Sequence, residues 1–139
     1  MDSNVIRKTD HDSHAGKLSF SEVVQRLTAA GVEYYYVDYM GMRKTSYGED
    51  GSMVVTSINY EGLPPVAKDF AGDDLRAAIA DSQHNGQTYR DFTRRAMQAG
   101  VQGYFAFLRG KRVIYLGRQG DQHIEWFPGY SPVKPQLAL

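Results

Sequence analysis

Apolar residues recur at helical spacing in two segments of the chain, and each segment follows a hydroxyl residue. Ser19 is followed three positions later by Glu22, and Thr88 in the same way by Asp91, which is the pattern of a capping box at a helix N-terminus. The pattern therefore predicts one amphipathic helix after each box. The apolar positions are Phe20, Val23, Val24, Leu27 and Ala30 in the first segment and Tyr89, Phe92, Ala96 and Ala99 in the second.

A glycine ends each helical segment and a β-rich run follows it. Gly31 and Gly100 are predicted at positive φ, because glycine enters the left-handed region cheaply and commonly ends helices there. Runs rich in β-branched and aromatic residues then predict three strands per unit. The predicted strands are residues 32–39, 43–47 and 53–58 in the first unit and 101–108, 112–116 and 123–127 in the second.

The two units match each other along the sequence. Residues 20–52 align with residues 89–121 at a constant offset of 69, without a gap. Nine of the aligned positions are identical, where chance would give roughly two. We therefore expect an α+β fold of duplicated α-β-β-β units that form one antiparallel or mixed sheet, covered by about three helices. The third, shorter helix is predicted over residues 73–83, between the units.

These patterns predict one domain with two irregular ends. The domain spans residues 19–128, with repeat 1 at 19–58, a helix-containing linker at 59–87 and repeat 2 at 88–127. Residues 1–18 are polar and read as a disordered leader, while residues 129–139 are predicted to be an irregular tail because of their prolines.

Composition narrows the classes of function. The chain has 139 residues, of which 42% are hydrophobic, enough for one core. Its 16 basic and 16 acidic side chains balance, so no global charge favours a polyanion, and the lack of cysteine excludes disulfides and thiolate chemistry. No segment resembles a signal peptide or a membrane span, which predicts a cytoplasmic protein without a membrane partner.

The motifs also resemble a known family. The run AAGVEYYYVDYMGMRKTSYGEDG, and its counterpart QAGVQGYFAFLRGKRVIYLGRQG, resemble the small YdfO-like bacterial proteins often labelled "phage envelope protein". The likeness covers roughly residues 18–128, but Tyr104 stands near the place of a tryptophan in that family, and Leu116 and Gly117 stand in place of a Tyr-Asp pair. The resemblance implies a duplicated α+β fold and a prophage-like, bacterial origin. It implies no activity, cofactor or catalytic residue.

No motif for catalysis, metal or cofactor binding stands out. Phosphate loops, dinucleotide-binding glycine patterns and nucleophile elbows are missing from the sequence. His11 and His14 lie three apart in the polar leader without a third ligand, so the solvated-tail interpretation is favoured over a metal site. We therefore predict no catalytic residues, no metal and no cofactor, and a non-enzymatic accessory role.

The tyrosines are the most distinctive chemical feature, since aromatic residues occupy both faces of the first strand in each unit. If the helices pack on the side of Val32 and Val101, the other face carries Tyr35, Tyr39 and Tyr104. Exposed aromatic surface of this kind favours a protein partner or a homodimer, with these three tyrosines as its anchors. A half-exposed sheet whose hydroxyls simply face water is the simpler interpretation.

Two other functions stay open. The first is a small-molecule binder or enzyme with a cleft between the repeats, lined by Tyr34, Tyr36, Asp38 and Arg112. The second is nucleic-acid binding through the second repeat, because residues 88–120 carry seven basic and one acidic side chain, a net of +6, against −5 in residues 19–87. Pairing of these opposite charges within the fold or across a dimer is favoured over nucleic acid.

Overall fold

The computed structural model describes residues 1–132, so most of the predicted tail at 129–139 lies outside the described residues. The chain consists of two groups, each with two helices followed by three strands, and all strands belong to one sheet. The elements in chain order are α1 (Ser3–His14), α2 (Phe20–Ala29), β1 (Val32–Asp38), β2 (Arg43–Gly48), β3 (Met53–Ser57), α3 (Gly72–His84), α4 (Tyr89–Gln98), β4 (Val101–Phe107), β5 (Arg112–Gly117) and β6 (Gln122–Trp126).

The sheet has six strands in the order β3-β2-β1-β4-β5-β6, and every neighbouring pair is antiparallel. The predicted α+β class is therefore confirmed, with an antiparallel rather than a mixed sheet. β1 and β4 meet at the centre, with Tyr36 opposite Phe105. The second group of elements begins and ends 69 positions after the first, as the bounds of α2 and α4 illustrate. The duplication itself stays a prediction from the sequence.

Helices α2 and α4 begin and end at the residues that the sequence predicted. The hydroxyl of Ser19 accepts a hydrogen bond from the Glu22 amide, and the Glu22 carboxylate accepts one from the Ser19 amide, which completes the capping box. Gly31 and Gly100 follow the helix ends at φ of 92° and 87°, so their predicted left-handed conformation is confirmed.

The N-terminal segment corrects the prediction of a disordered leader over residues 1–18. Residues 3–14 form α1, whose N-cap is Asp2, and the chain bends at Gly16 before α2. Ile6, Thr9 and Asp10 of this helix are buried. Few apolar residues mark α1, and its burial rests partly on an ion pair to β2, which leaves no periodic signal in the sequence. The described residues thus form four helices instead of about three, and α3, with 13 residues, is the longest of them.

A β-bulge opens the first strand of each group. Val32 pairs with Gly48 and Tyr34 with Tyr47, so Glu33 is an extra residue on β1. The same shift in β4 makes Gln102 an extra residue. Because side chains alternate between the two faces of a strand, one inserted residue moves every later side chain to the opposite face.

The helices cover one face of the sheet. Buried side chains alternate along the central strands, as Tyr35, Val37 and Tyr39 do on β1 and just beyond it, and this covered face forms the core with the helices. The intervening side chains lie on the opposite, open face, where they are half-buried or exposed. None of the helices among residues 1–132 has the length and apolar character needed to cross a bilayer.

Candidate ligand-binding cavity

A cavity of about 540 Å³ lies between the helices and the covered face of the sheet. Strand residues such as Tyr35, Tyr104 and Tyr115 line its sheet side, and Val23 and Phe92 line it from α2 and α4. Its volume falls in the range of about 300–1,000 Å³ that small-molecule pockets occupy. The cavity is therefore large enough to hold a small organic molecule.

Tyrosine hydroxyls give this largely apolar space its polar groups. The hydroxyls of Tyr89 and Tyr104 lie 2.7 Å apart and share a hydrogen bond. Burial raises the pKa of Tyr104, and also that of Tyr89 and Tyr35, so these phenols stay neutral at physiological pH. A neutral phenol is both a donor and an acceptor of hydrogen bonds.

Tyr115 differs from the other tyrosines of the cavity. The residue is only 7% exposed, and its hydroxyl makes no hydrogen bond to another of residues 1–132, but the hydroxyl is not sealed from solvent because it does not belong to the fully buried unpaired polar atoms, and the residue lines the cavity. Burial raises the pKa of Tyr115, and electrostatic repulsion from Tyr39 and Glu125 raises this pKa further. The site thus contains a neutral phenol with unused hydrogen-bonding capacity.

A compensated cation lies at one side of the cavity. Lys44 donates a hydrogen bond of 2.6 Å to Asp10, and its ammonium lies 4.0 Å from the ring centroid of Tyr35. Burial lowers the pKa of Lys44, and the carboxylate of Asp10 opposes this by favouring the charged form. Because the ion pair is closed within the fold, Lys44 brings little net charge to the cavity.

An acidic residue lies at the β6 side of the cavity. Glu125 pairs in register with Val113, and a ring nitrogen of His123 lies 3.0 Å from its carboxylate. The His123 ring in turn stacks on Tyr115, with centroids 6.2 Å apart. The Glu125 side chain is 32% exposed, so it is accessible from the cavity and from solvent.

α1 closes another side through aromatic contacts. The ring of His14 stacks on Tyr89 with centroids 5.7 Å apart and an interplanar angle of 14°. Burial lowers the pKa of His14, and the positive charge of Lys44 lowers it further. The Tyr60 hydroxyl donates a hydrogen bond to the His14 carbonyl, and burial raises the pKa of Tyr60 to about 12. The predicted solvated tail around His11 and His14 is therefore an ordered helix whose last turn contacts the site.

The structure contradicts the prediction that Tyr35, Tyr39 and Tyr104 form an exposed partner-binding face. They are 3%, 2% and 5% exposed and lie under the helices. The reason is the β-bulge, because the extra residue Glu33 puts Val32 and Tyr35 on the same, covered face. Tyr35 and Tyr104 line the cavity, whereas Tyr39 packs edge-on against Tyr104 in the core.

The four residues of the predicted cleft also lie elsewhere. Tyr34, Tyr36, Asp38 and Arg112 occupy the open face, and none of them lines the cavity. Asp38 accepts hydrogen bonds from the backbone amides of Met40 and Gly41 in the hairpin turn after it, so its side chain stabilises that turn. The structure therefore brings these four residues together on a sheet surface, and the prediction that they line a cleft is wrong.

The open face carries aromatic and aliphatic residues in two rows across all six strands. Tyr34 stacks on Tyr47 and Phe107, with centroids 4.8 and 5.7 Å away, and Phe105 packs on Tyr36 at 4.5 Å. No helix among residues 1–132 covers these rings. From β3 to β6 the rows are Met53, Tyr47, Tyr34, Phe107, Arg112 and Trp126, and Val55, Thr45, Tyr36, Phe105, Ile114 and Ile124.

The basic side chains of the second half meet partners from the first half and from the linker. Arg95 forms a 2.6 Å ion pair with Asp81, and Arg109 approaches Glu49 at 3.4 Å. Arg90 and Arg118 donate hydrogen bonds to backbone carbonyls of the linker. These contacts favour the interpretation in which the two charge-biased halves pair with each other.

Sequence reasoning missed Lys44, Tyr89 and Glu125 as residues of a site. Glu125 and Val113 lie on the covered face because they pair across β5 and β6, but that pairing is not readable before the register is known. Tyr89 could have been found, because it heads the apolar stripe of its helix. Within residues 1–132 no group of three His, Cys, Asp or Glu side chains is arranged to hold a metal ion.

Comparison with protein-family models and with curated proteins finds no match for the chain. The resemblance to the YdfO-like proteins therefore stays a prediction.

Proposed function

We propose that this protein binds a small organic molecule in the cavity between its helices and its sheet. The observation that carries the proposal is the Tyr115 hydroxyl, which lies in a cavity of about 540 Å³ without a hydrogen-bond partner among residues 1–132. This hydroxyl has unused donor and acceptor capacity at the cavity wall. A ligand group can bond to it there.

The lining fits an amphipathic ligand. Val23, Ile79 and Phe92 present apolar surface from three helices, while the sheet presents phenol hydroxyls. Pockets of this kind hold most of a ligand by apolar contact and orient it through a few polar groups. The proposed role is binding.

The test is a titration of the purified protein with N-phenylnaphthylamine, an uncharged dye whose fluorescence rises in apolar surroundings. We expect saturable binding, which Ile79→Trp weakens because the larger ring fills cavity space. Ile124→Trp is the matched control, since Ile124 is exposed on the open face. Dye binding that is absent, or that only the Ile124 variant weakens, would contradict the proposal.

Self-association through the open face is a second candidate function. The face spans about 24 by 17 Å if strands lie about 4.8 Å apart and rise about 3.4 Å per residue, a flat area of roughly 400 Å². Apolar patches of this size on a monomer often mark contact sites. The charged groups of the face are already engaged. Asp38 lies 3.8 Å from Arg43, and the guanidinium of Arg112 lies over the Trp126 ring at 4.8 Å. A second copy supplies a matching surface through a twofold contact.

Sedimentation velocity across micromolar concentrations tests this second function. We expect a dimer that Ile124→Asp and Val55→Asp disrupt, because each places a charge in the apolar rows. Met40→Asp is the control, as Met40 is also an exposed apolar residue but lies in the turn after β1. A wild-type protein that stays monomeric would overturn it and leave cavity binding unaffected.

A further inference from the structure

We propose that the ligand of the cavity carries a cationic amine, and that Glu125 and Tyr115 hold it, an inference that rests on the proposed binding function. The argument starts from the fixed charges around the cavity. Lys44 is closed into its 2.6 Å pair with Asp10 and contributes no free charge. Glu125 has no Lys or Arg side chain within ion-pairing distance among residues 1–132, and its described partner is a ring nitrogen of His123 at 3.0 Å.

The carboxylate of Glu125 in the lining disfavours an anionic ligand and favours a cation. Lys17, the other basic residue of the lining, is exposed in the loop between α1 and α2, close enough to Asp12 to lower the pKa of that carboxyl. Its charge therefore lies at the rim beside an acidic neighbour. The net charge that the enclosed part presents to a ligand is that of Glu125.

The groups beside Glu125 suit an ammonium group. An ammonium has three donors, and the Glu125 carboxylate and the free Tyr115 hydroxyl supply acceptors. Aromatic rings lie close by in the lining, where Phe20 packs edge-on against Phe127 with centroids 5.1 Å apart. The faces of such rings attract cations.

Partial exposure of Glu125 keeps the energetic cost of such a pair low. A fully buried ion pair loses much of its Coulomb gain to desolvation. The Glu125 side chain remains 32% exposed, so its charge keeps part of its hydration. The apolar body of the ligand then extends under α2 and α4, where Val23 and Phe92 line the cavity.

The experiment compares three ligands of matched shape that differ in charge: phenylbutylamine, phenylbutanol and phenylbutanoate. Each displaces N-phenylnaphthylamine from the wild-type protein. We expect the amine to compete about tenfold better than the alcohol, a typical effect of one charge-assisted contact, and the carboxylate to compete worst. Glu125→Gln should remove the preference for the amine, measured against the alcohol in the same variant. Glu49→Gln, which changes an exposed acid outside the lining, should behave as wild type.

Equal competition by the amine and the alcohol in the wild-type protein would overturn the proposal, as would a preference that survives Glu125→Gln. The wild-type comparison alone decides the question if the Glu125 variant does not fold. Failure of the dye to bind would count against the cavity as a binding site. Direct calorimetric titration with the amine then tests the inference itself, and a lack of saturable heat overturns it.

Discussion

Lys44 of β2 and Asp10 of α1 form a closed ion pair inside the protein, with 2.6 Å between the ammonium nitrogen and the nearer carboxylate oxygen. Their side chains are 6% and 3% exposed. The other carboxylate oxygen accepts a hydrogen bond from the Thr56 hydroxyl at 2.7 Å. Since both charges are satisfied by the fold, the pair ties the N-terminal helix to the sheet.

Replacing one member of this pair should be strongly destabilising. Lys44→Met leaves the Asp10 carboxylate buried without its cation, which typically costs about 3–5 kcal/mol of unfolding free energy. Urea denaturation measures the change. Combining Lys44→Met with Asp10→Leu should recover much of the loss, because the apolar pair needs no compensation. A single variant as stable as wild type would show that the pair does not hold α1.

Gly100 should tolerate alanine much less well than Gly120. Both have positive φ, 87° and 85°, so both lose about 1 kcal/mol to the left-handed backbone. A Cβ at Gly100 would overlap the Asp69 carbonyl oxygen, whereas one at Gly120 meets nothing within 4 Å. We expect Gly100→Ala to cost about 1–3 kcal/mol more, as crowding of a packed core does. Equal losses in thermal or urea unfolding would contradict the close approach of Asp69.

His14 should make the protein less stable in mild acid. Its folded pKa lies below the usual 6.5, chiefly because of burial, so below pH 6.5 the unfolded chain takes up this proton more readily than the native state. The unfolding free energy contributed by this group therefore falls as the pH drops through 6.5 towards the folded pKa. His14→Phe keeps the stacking on Tyr89 and removes the proton.

Urea unfolding at pH 5 and pH 7 checks the expectation, with a smaller loss on acidification in His14→Phe than in wild type. His84→Phe serves as the control, because His84 is an exposed residue at the end of α3. The same pH dependence in wild type and in both variants would exclude His14 as its source.

Tyr39→Phe should be neutral or mildly stabilising. The Tyr39 hydroxyl is buried and lacks a hydrogen-bond partner among residues 1–132, so removing it relieves an unpaired polar group. Tyr104→Phe is the matched comparison, since it breaks the 2.7 Å hydrogen bond with Tyr89 and should cost about 1 kcal/mol. Calorimetric melting distinguishes the two. A larger loss for Tyr39→Phe than for Tyr104→Phe would point to a bound water or another partner at Tyr39.

The sequence was sufficient for the order of the elements from α2 to β6, but not for α1 or for the sides of the sheet. Ser19 and Gly31 mark helix ends through local chemistry, namely a side-chain cap and a left-handed residue, and local signals of this kind are readable without a structure. The bulge at Glu33 depends on pairing with β2 and changes no composition, so alternation counted from Val32 assigned Tyr35 to the wrong face.

The site depended on the same non-local information. Asp10 and Lys44 are 34 positions apart, and neither pattern nor spacing indicates that they meet. Glu125 enters the cavity through its register with Val113, which the sequence leaves undetermined. Only the aromatic character of the site was visible beforehand, through Tyr35 and Tyr104, and these were interpreted as surface anchors.

The extra residues in β1 and β4 set where the chain tolerates a change of length. Deleting Glu33 or Gln102 would remove the bulge and leave the other side chains on their present faces, because the residues on either side already pair with consecutive residues of the neighbouring strand. Deleting a residue within the regular part of β1, such as Tyr36, would instead turn part of the strand over and exchange the rings that line the cavity for those that face outward. An insertion in the turn at Gly51, where a Cβ would meet nothing within 4 Å, would only lengthen a loop. Single-residue deletions along this chain should therefore differ sharply in effect over a few positions, and the two bulges are the places in β1 and β4 where a deletion keeps inside and outside unchanged.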